Sequence, residues 1–243
     1  VYQNSSPTPS LSLQMDDTVA LIPTQATSGQ HFWYSLRGDN SNSRLARAFD
    51  LSEVQSAELS FNIWYDLETE WDYAYISISA DNGQTWDVQT TALMTNDNSN
   101  QRAYAMGYTG QSEGWQEQNI VLDSYAGQEI LLRFEMVTDD AVNNSGIALD
   151  DMRLDVIGDS DDFEVEDDAW VAEGWIRTDN RLPQRAWVQV IENSPEQIIH
   201  RFLADGAENW EFSLSDSTTS VTIAVSPFAP MTSETASYTL QFE

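Results

Sequence analysis

Apolar and polar residues alternate along much of the chain, which is the period-two pattern of half-buried β-strands. The alternation is clearest in residues 73–79, YAYISIS, and it recurs in residues 130–136, ILLRFEM. Between residues 11 and 157 no segment carries the longer period of a long helix. We predict strands at residues 11–15, 31–36, 45–50, 56–67, 72–80, 86–93, 102–108, 116–122, 129–138, 146–157, 169–177, 185–192, 197–204, 209–214, 219–226 and 236–242.

Many short strands with turn signals between them predict an all-β chain with two β-sandwiches. The predicted parts are an extended N-terminal segment (1–15), a jelly-roll domain (16–157), an acidic linker (158–168) and a small immunoglobulin-like or fibronectin-like sandwich (169–243). The linker, GDSDDFEVEDD, holds seven acidic residues in eleven positions. Repulsion between like charges favours an extended conformation for such a segment.

The excess of acidic residues argues against some classes of binding partner. The 243 residues include 40 acidic and 10 basic residues, and the net charge is −30. Such a surface repels nucleic acid and anionic membranes and attracts divalent cations. No apolar run reaches the roughly 18–20 residues that cross a bilayer. We therefore predict no nucleic-acid partner and no membrane span. The chain has no cysteine, so disulfides and thiolate metal sites are excluded.

Residues 79–86, SADNGQTW, fit the S-x-D-x-G-x-x-W pattern known as an Asp box. Asp81 can accept hydrogen bonds from its own turn, Gly83 can adopt a positive φ, and Trp86 can pack back on the hairpin. Ser79 supplies the first position of the pattern. We interpret these four residues as a structural turn motif without chemistry.

Motifs for catalysis are absent from the sequence. The two histidines, His31 and His200, lie far apart in the chain, and no H-E-x-x-H, G-x-S-x-G or phosphate-binding glycine motif occurs. A pair of carboxylates could serve a glycosidase, but among 40 acidic residues some pair always has a suitable spacing. We predict that this chain is not an enzyme.

Clustered acidic residues in turns predict a structural calcium site. Calcium takes six to eight oxygen ligands from carboxylates, carbonyls and water. The candidate ligands are Asp150, Asp39, Glu68, Asp72 and Asp139. Asp150 and Asp151 open the last strand of the first domain, where alternation predicts that their side chains point to opposite faces. A Ca²⁺ ion joining the first and last strands would replace the missing disulfides. The alternative is that these carboxylates cap turns.

Four segments between residues 31 and 154 carry a family likeness. They read FWYSLRGDNSNSRLARAFDL, WYDLETEWDYAYISISADNGQTW, YTGQSEGWQEQNIVLDSYAGQEILLRFEMVTDDAV and GIALDDM. In order and spacing they resemble the jelly-roll module in the C-terminal region of immune inhibitor A-type secreted metallopeptidases, which is related in pattern to MAM domains and reelin sub-repeats. Residues 169–191 look like a small β-domain that often follows this module.

This resemblance implies a MAM-like jelly roll, secretion and often bound Ca²⁺. In reelin-like repeats the Asp that opens the last strand binds calcium, and Asp150 is the matching residue. The resemblance does not extend to peptidase activity, because the family's zinc motif lies in a separate domain and is absent from this sequence.

Three functions follow from these observations, all for a secreted or cell-surface protein. The first is a noncatalytic accessory region for attachment or stabilisation, processed from a peptidase-like precursor, since the chain begins at Val1 without Met. The second is a subunit of a surface filament or layer, in which the N-terminal segment adds a strand to another copy. The third is carbohydrate binding through exposed tryptophans, for which the candidates are Trp33, Trp64, Trp71, Trp115 and Trp175.

Overall fold

A computed structural model describes residues 10–206 and 210–242 and confirms the predicted all-β class. The strands in the first half are β1 (Ser10–Met15), β2 (Thr18–Ala20), β3 (Phe32–Tyr34), β4 (Asn42–Asp50), β5 (Glu58–Asp66), β6 (Tyr73–Ser79), β7 (Asp87–Gln89), β8 (Gln116–Val121), β9 (Glu129–Val137) and β10 (Gly146–Leu154). Those in the second half are β11 (Asp159–Asp161), β12 (Trp170–Glu173), β13 (Ile176–Thr178), β14 (Arg181–Pro183), β15 (Arg185–Asn193), β16 (Ile198–Asp205), β17 (Trp210–Ser213), β18 (Ser220–Pro227) and β19 (Tyr238–Phe242). The helical segments found in the described residues are two three-residue 3-10 helices, Asp123–Tyr125 and Asp155–Ile157, far too short to cross a bilayer.

The larger of two compact units comprises residues 24–179 and is a β-sandwich. One sheet has the strand order β13-β3-β10-β5-β8, with β11 also paired to β10, and the other has the order β12-β4-β9-β6-β7. The strand pairs among the described residues are antiparallel, as in the nine-residue register between β4 and β9. The inner faces of the two sheets share one apolar core, in which the ring centroids of Phe61 and Phe134 lie 5.2 Å apart.

Alternation explains why β9 can lie at the centre of its sheet. Ile130, Leu132, Phe134 and Met136 face the core and are at most 2% exposed. The residues between them point to the opposite face, where Glu135 is also buried because Arg44 and Tyr104 donate hydrogen bonds to its carboxylate. Burial of the apolar face stabilises the sheet by about 25 cal/mol per Å² of apolar surface.

The smaller unit combines residues 10–23 with the described residues from Asn180 onward. It contains the sheets β17-β1-β19 and β16-β15-β18 and the ribbon β14-β2. Leu11, Leu13 and Met15 of β1 share an apolar core with Val188 and Val190 of β15. Both edges of β1 are therefore paired within its own chain.

This arrangement differs from the predicted extended segment at residues 1–15. Residues 10–15 are the middle strand of a sheet and are not free to add to the sheet edge of another copy. Residues 1–9 lie outside the described residues. The physical reason for the difference is the alternating apolar side chains of β1, which are buried only when the strand lies over β15.

The predicted acidic linker at residues 158–168 is wrong. Residues 159–161 form β11, which pairs with β10, and Phe163 is buried in the core of the larger unit. The Arg47 guanidinium lies 2.6 Å from Asp159 Oδ2 and 2.9 Å from Asp161 Oδ2, so it offsets the repulsion on which the prediction rested. The strands that follow belong to the larger unit as well: β13 is an edge strand of its first sheet and β12 an edge strand of its second. That unit therefore ends at residue 179 rather than at 157.

The remaining strand errors have local causes. The predicted strand at 102–108 forms only isolated bridges at Gly107 and Tyr108. The strand predicted at 169–177 is divided into β12 and β13 by Gly174, whose φ is 76°. Strands β2, β11 and β14 were not predicted; each has only three residues.

Candidate functional site

Three loops of the larger unit contain four of the five predicted metal ligands. The loops follow β3, β5 and β9, and their residue ranges are 35–41, 67–72 and 138–145. The hydroxyl of Thr138 donates to the carbonyl of Gly38 at 2.7 Å, so the first and third loops are in contact. We name the four acidic residues the loop-end cluster; they are Asp39, Glu68, Asp72 and Asp139.

Hydrogen bonds connect the members of the loop-end cluster through backbone and amide groups. Asp72 Oδ1 accepts the backbone N–H of Asp139 at 2.9 Å. The backbone carbonyl of Glu68 accepts the N–H of Asp72 at 3.0 Å. Asp39 Oδ1 accepts an amide N–H of Asn143 at 2.8 Å. The loops are thus held by these residues themselves, as the turn-capping alternative expects.

Asp72 is the most perturbed acid of the cluster. Its side chain is 1% exposed, and burial raises its pKa to about 6. The backbone N–H of Asp139 lowers the pKa, whereas the negative charges of Asp139 and Glu68 raise it. Arg102 lies 3.9 Å from Asp139 Oδ2 and partly balances the charge of that residue. Asp72 therefore holds its proton to a higher pH than an ordinary carboxyl group.

The sequence reasoning missed Asp66, the last residue of β5. Its Oδ1 accepts amide N–H groups from Gln111 at 2.7 Å and Asn144 at 3.2 Å. Its Oδ2 accepts the Ser145 hydroxyl at 3.0 Å. The available signal was its place at a strand end, beside the acidic turn that contains Glu68.

Asp150 does not lie in the loop-end cluster. In the register of β5 and β10, Asp150 pairs with Asn62, and Gly146 pairs with Asp66. Four strand residues span about 13 Å, so Asp150 is well separated from the loops beyond Asp66.

The Asp150 carboxylate is buried and hydrogen-bonded to the segment between β2 and β3. Asp150 Oδ2 accepts the backbone N–H of Thr27 at 2.7 Å and its hydroxyl at 2.8 Å, and Oδ1 accepts the N–H of Asp151 at 2.9 Å. Burial raises the pKa of Asp150, and the Asp151 charge adds to that effect, while the Thr27 hydrogen bonds oppose it.

The predicted opposite orientation of Asp150 and Asp151 is wrong. Asp151 Oδ2 lies 2.7 Å from the Thr27 hydroxyl that also contacts Asp150, so both carboxylates reach the same side. The register shifts between Asp150 and Arg153, and Asp151 has a φ of 48°. A bulge of this kind interrupts the alternation on which the prediction relied.

The carboxylates of Asp150 and Asp151 therefore both contact the hydroxyl of Thr27. We name these three residues the Thr27 centre. A hydroxyl carries one proton and can donate it to only one of the two oxygens. The Ser28 hydroxyl donates to Asp151 Oδ1 at 2.7 Å and adds another oxygen. All of these side-chain donors are hard oxygens, the kind that calcium takes. Among the described residues, however, no three His, Cys, Asp or Glu side chains converge in a group that could hold a metal.

The turn at residues 79–86 is closed by its own side chains. Asp81 Oδ1 accepts backbone N–H groups of Gln84 at 3.0 Å and Thr85 at 2.8 Å, and the Ser79 hydroxyl donates to the same oxygen at 2.8 Å. The hydrogen bonds from Thr85 are the main cause that lowers the pKa of Asp81 to about 2. Gly83 has a φ of 82°, and Trp86 donates its indole N–H to the Gly83 carbonyl at 3.1 Å.

The five tryptophans considered for glycan binding take part in packing. Trp64 and Trp175 are buried, and Trp33 packs against the core of the larger unit. Trp115 donates its indole N–H to a backbone carbonyl at 2.6 Å, and Trp71 lies under the guanidinium of Arg102.

The sequence of this chain is similar to a known protein family and to several known proteins. The family described as "Immune inhibitor A-like, MAM domain" matches residues 9–180. The pre-pro-metalloprotease PrtV of Vibrio cholerae serotype O1 is 32% identical over 130 residues, which cover 54% of this chain and 14% of the relative. Immune inhibitor A of Bacillus thuringiensis subsp. alesti is 28% identical over 140 residues, covering 56% and 19%.

A further relative, Bacillopeptidase F of Bacillus subtilis (strain 168), is 25% identical over 137 residues, which cover 54% of this chain and 8% of the relative. The matched region of this chain therefore spans less than a fifth of the length of each of these curated relatives.

Proposed function

Because the chain belongs to the immune inhibitor A-like MAM domain family, we propose that it is a noncatalytic extracellular β-sandwich module that serves attachment or accessory binding in a secreted peptidase-like protein. The observation that carries the proposal is the family match over residues 9–180, together with relatives named as peptidases that are several times longer than the matched region.

The chemistry of the described residues supports a binding role. The carboxylates of Asp72, Asp150 and Asp151 accept hydrogen bonds from backbone N–H groups and hydroxyls. The strongly acidic surface keeps such a module soluble and gives it long-range attraction for basic partners.

The purified chain tests the two halves of this proposal. We expect no hydrolysis of fluorescent casein, because the sequence carries no catalytic motif. We expect a fusion to a monomeric fluorescent protein to be retained on beads coated with denatured casein or with peptidoglycan. A fluorescent protein engineered to a charge of about −30 is the control for unspecific electrostatic binding. Hydrolysis of casein, or retention no greater than that of the control on both surfaces, would contradict the proposal.

We propose in addition that calcium stabilises the larger unit. Asp150, Asp151 and the hydroxyl of Thr27 would hold the ion, with backbone carbonyls and water completing the six to eight oxygens that calcium needs. The support is the close approach of two carboxylate oxygens to one hydroxyl that has a single proton. When bound, calcium would neutralise the negative charge that is concentrated there.

Thermal unfolding tests the calcium proposal. We expect EDTA to lower the Tm and Ca²⁺ to restore it. Asp151→Asn should abolish the response, because Asn tolerates the φ of 48° at this position but lacks the charge. Asp140→Asn, at an exposed loop residue, is the matched control and should respond like the parent chain. A response that survives Asp151→Asn and is lost in Asp72→Asn would place the ion in the loop-end cluster.

A further inference from the structure

The larger unit contains an aromatic cleft, part of which is formed by residues 161–167. Its volume is about 330 Å³, and its lining includes Trp33, Phe163, Trp170, Trp175, Glu166 and Asp167. Ligand pockets usually measure about 300–1,000 Å³, so this cleft suits one side-chain-sized group better than an extended sugar chain. Neither the proposed calcium ligands nor the loop-end cluster lies in it.

We propose that this aromatic cleft binds a basic side chain, arginine in preference to lysine, of a polypeptide partner. The proposal rests on the accessory-binding role proposed above and names the chemistry of the group that is bound. Aromatic rings attract cations that lie within about 6 Å of the ring centroid, and planar guanidinium groups use this contact more often than ammonium groups do.

The aromatic part of the lining is preorganised. Phe163 and Trp170 make an edge-to-face contact with centroids 5.8 Å apart, and Trp33 lies 6.4 Å from Trp170. The rings are locked by packing, so a ligand would not have to immobilise them on binding. The Trp175 indole N–H is buried and has no acceptor among the described residues. A donor left in that state calls for a water or for a backbone carbonyl of the polypeptide partner, because a guanidinium group has no acceptor.

Carboxylates give the cleft its preference for a positive charge. Glu166 and Asp167 are exposed side chains of the lining, and among the hydrogen bonds of the described residues Asp167 uses one oxygen, which accepts the N–H of Ala169. Arg177 also lines the cleft, but its guanidinium donates to the backbone carbonyls of Phe163 and Glu164. The donor groups of Arg177 are thus directed to the backbone rather than to these two carboxylates.

The protein already uses the same chemistry at Trp170 and Asp161, both of which line the cleft. The guanidinium carbon of Arg47 lies 5.5 Å from the Trp170 ring centroid, and its Nη1 lies 2.9 Å from Asp161 Oδ2. Trp170 donates its indole N–H to the same carboxylate oxygen at 2.9 Å. A ring, a carboxylate and a guanidinium are therefore compatible at this position, and an incoming arginine would repeat the arrangement with Glu166 or Asp167.

The test uses the whole chain and a pair of peptides of nearly the same shape, which differ in charge and in one hydrogen-bonding group. The probes are acetyl-Gly-Gly-Arg-Gly-Gly-amide and its citrulline analogue, which keeps the shape of arginine but is neutral. Binding is followed by the NMR shifts of the tryptophan indole N–H groups. We expect the arginine peptide to shift the Trp33, Trp170 and Trp175 signals, and to bind at least about fivefold more tightly than the citrulline peptide.

Charge-matched double variants locate the site. Glu166→Gln with Asp167→Asn should weaken binding of the arginine peptide by at least about fivefold. Asp162→Asn with Asp168→Asn removes the same charge from the same segment without changing the lining, and should leave binding nearly unchanged. Both pairs lie at exposed positions, so the fold should persist, which the unchanged indole spectrum of the free variants would verify.

Three outcomes would overturn the inference. Equal binding of the arginine and citrulline peptides would show that charge is not recognised. Equal weakening by the two double variants would show a general attraction to an acidic surface. Shifts of the same indole signals by neutral chitotetraose, without any by the arginine peptide, would make the cleft a glycan site. If the chain is still retained on casein or peptidoglycan beads in any of these cases, the accessory-binding role survives and only the assignment of the cleft fails.

Discussion

The Asp72 carboxylate accepts the backbone N–H of Asp139 at 2.9 Å, while the charge of Asp139 raises the pKa of that same carboxyl group. This pair joins the loop after β5 to the loop after β9. One contact thus fixes two loops and also places two acidic residues close together, with Asp72 buried. The hydrogen bond between the two residues is favourable, but the repulsion between their negative charges is not. The stability of this end of the sandwich should therefore depend on pH.

Asp72 should destabilise the larger unit as the pH rises from about 4 to 6. Its usual pKa is 3.8, and burial raises the value in the folded chain to about 6. Between these values the folded state binds more protons than the unfolded state, so the free energy of unfolding falls with rising pH, by about 1–3 kcal/mol in total. Asp72→Asn keeps the acceptor oxygen and should remove this part of the slope. Urea unfolding in EDTA at several pH values measures the effect.

The matched control for that experiment is Asp140→Asn, which removes a charge from an exposed neighbour of Asp139. Its slope should equal that of the parent chain. A parent-like slope in Asp72→Asn would show that Asp72 titrates normally.

Leu13→Ala should loosen the smaller unit alone. Leu13 is buried in the middle strand β1, and truncation of a buried Leu costs about 2–5 kcal/mol. We expect faster hydrogen exchange in peptides from β15, β17 and β19, with unchanged exchange in peptides from residues 24–179. Gln14→Ala, at the exposed neighbouring position, should change neither set. An equal loss of protection in both units, or none in the smaller one, would contradict the role assigned to β1.

Alternation located most strands because each one covers a core with every second residue, as β9 illustrates. In β6 the core-facing residues also alternate, but both faces of the strand are buried. It could not identify the partners of β1, since its neighbours β17 and β19 lie at the opposite end of the chain. Charge counting failed at residues 158–168 for a related reason. The repulsion is offset by Arg47, which is remote in sequence and adjacent only in the folded chain.

For the candidate sites too, the sequence could predict some features and not others. Asp39, Glu68, Asp72 and Asp139 lie in turns next to strand ends, and such turns meet at one end of a sandwich. The shared orientation of Asp150 and Asp151 was not predictable, because it depends on a bulge and on a positive φ at a non-glycine residue. The aromatic cleft was not predicted, because its acidic residues were assigned to a linker rather than to the folded unit.

Arg47→Met should destabilise the larger unit by about 2–4 kcal/mol, because it leaves Asp159 and Asp161 without their shared cation in a partly buried position. The methionine keeps an apolar side chain over Phe49 and Trp170. The loss of stability therefore measures the contribution of the positive charge rather than that of the packing. Urea unfolding measures the difference. Arg153→Met, at an exposed position of the same unit, should cost less than about 0.5 kcal/mol. Equal effects of the two substitutions would show that the ion pairs of Arg47 contribute little.

Asp150→Ala should release the segment between β2 and β3, even in EDTA, where no metal contributes. The substitution leaves the backbone N–H groups of Thr27 and Asp151 without their carboxylate acceptor, at a cost of about 2–4 kcal/mol. Asp151→Asn is the control, since it keeps one of the two acceptor oxygens that face the Thr27 and Ser28 hydroxyls and tolerates the positive φ. Limited proteolysis and hydrogen exchange of residues 24–31 should report local opening in Asp150→Ala alone. If both variants remain protected in EDTA, the hydrogen bonds of Asp150 do not anchor this segment, and its other contacts, such as those of Gln30 and His31 with Glu164, hold it instead.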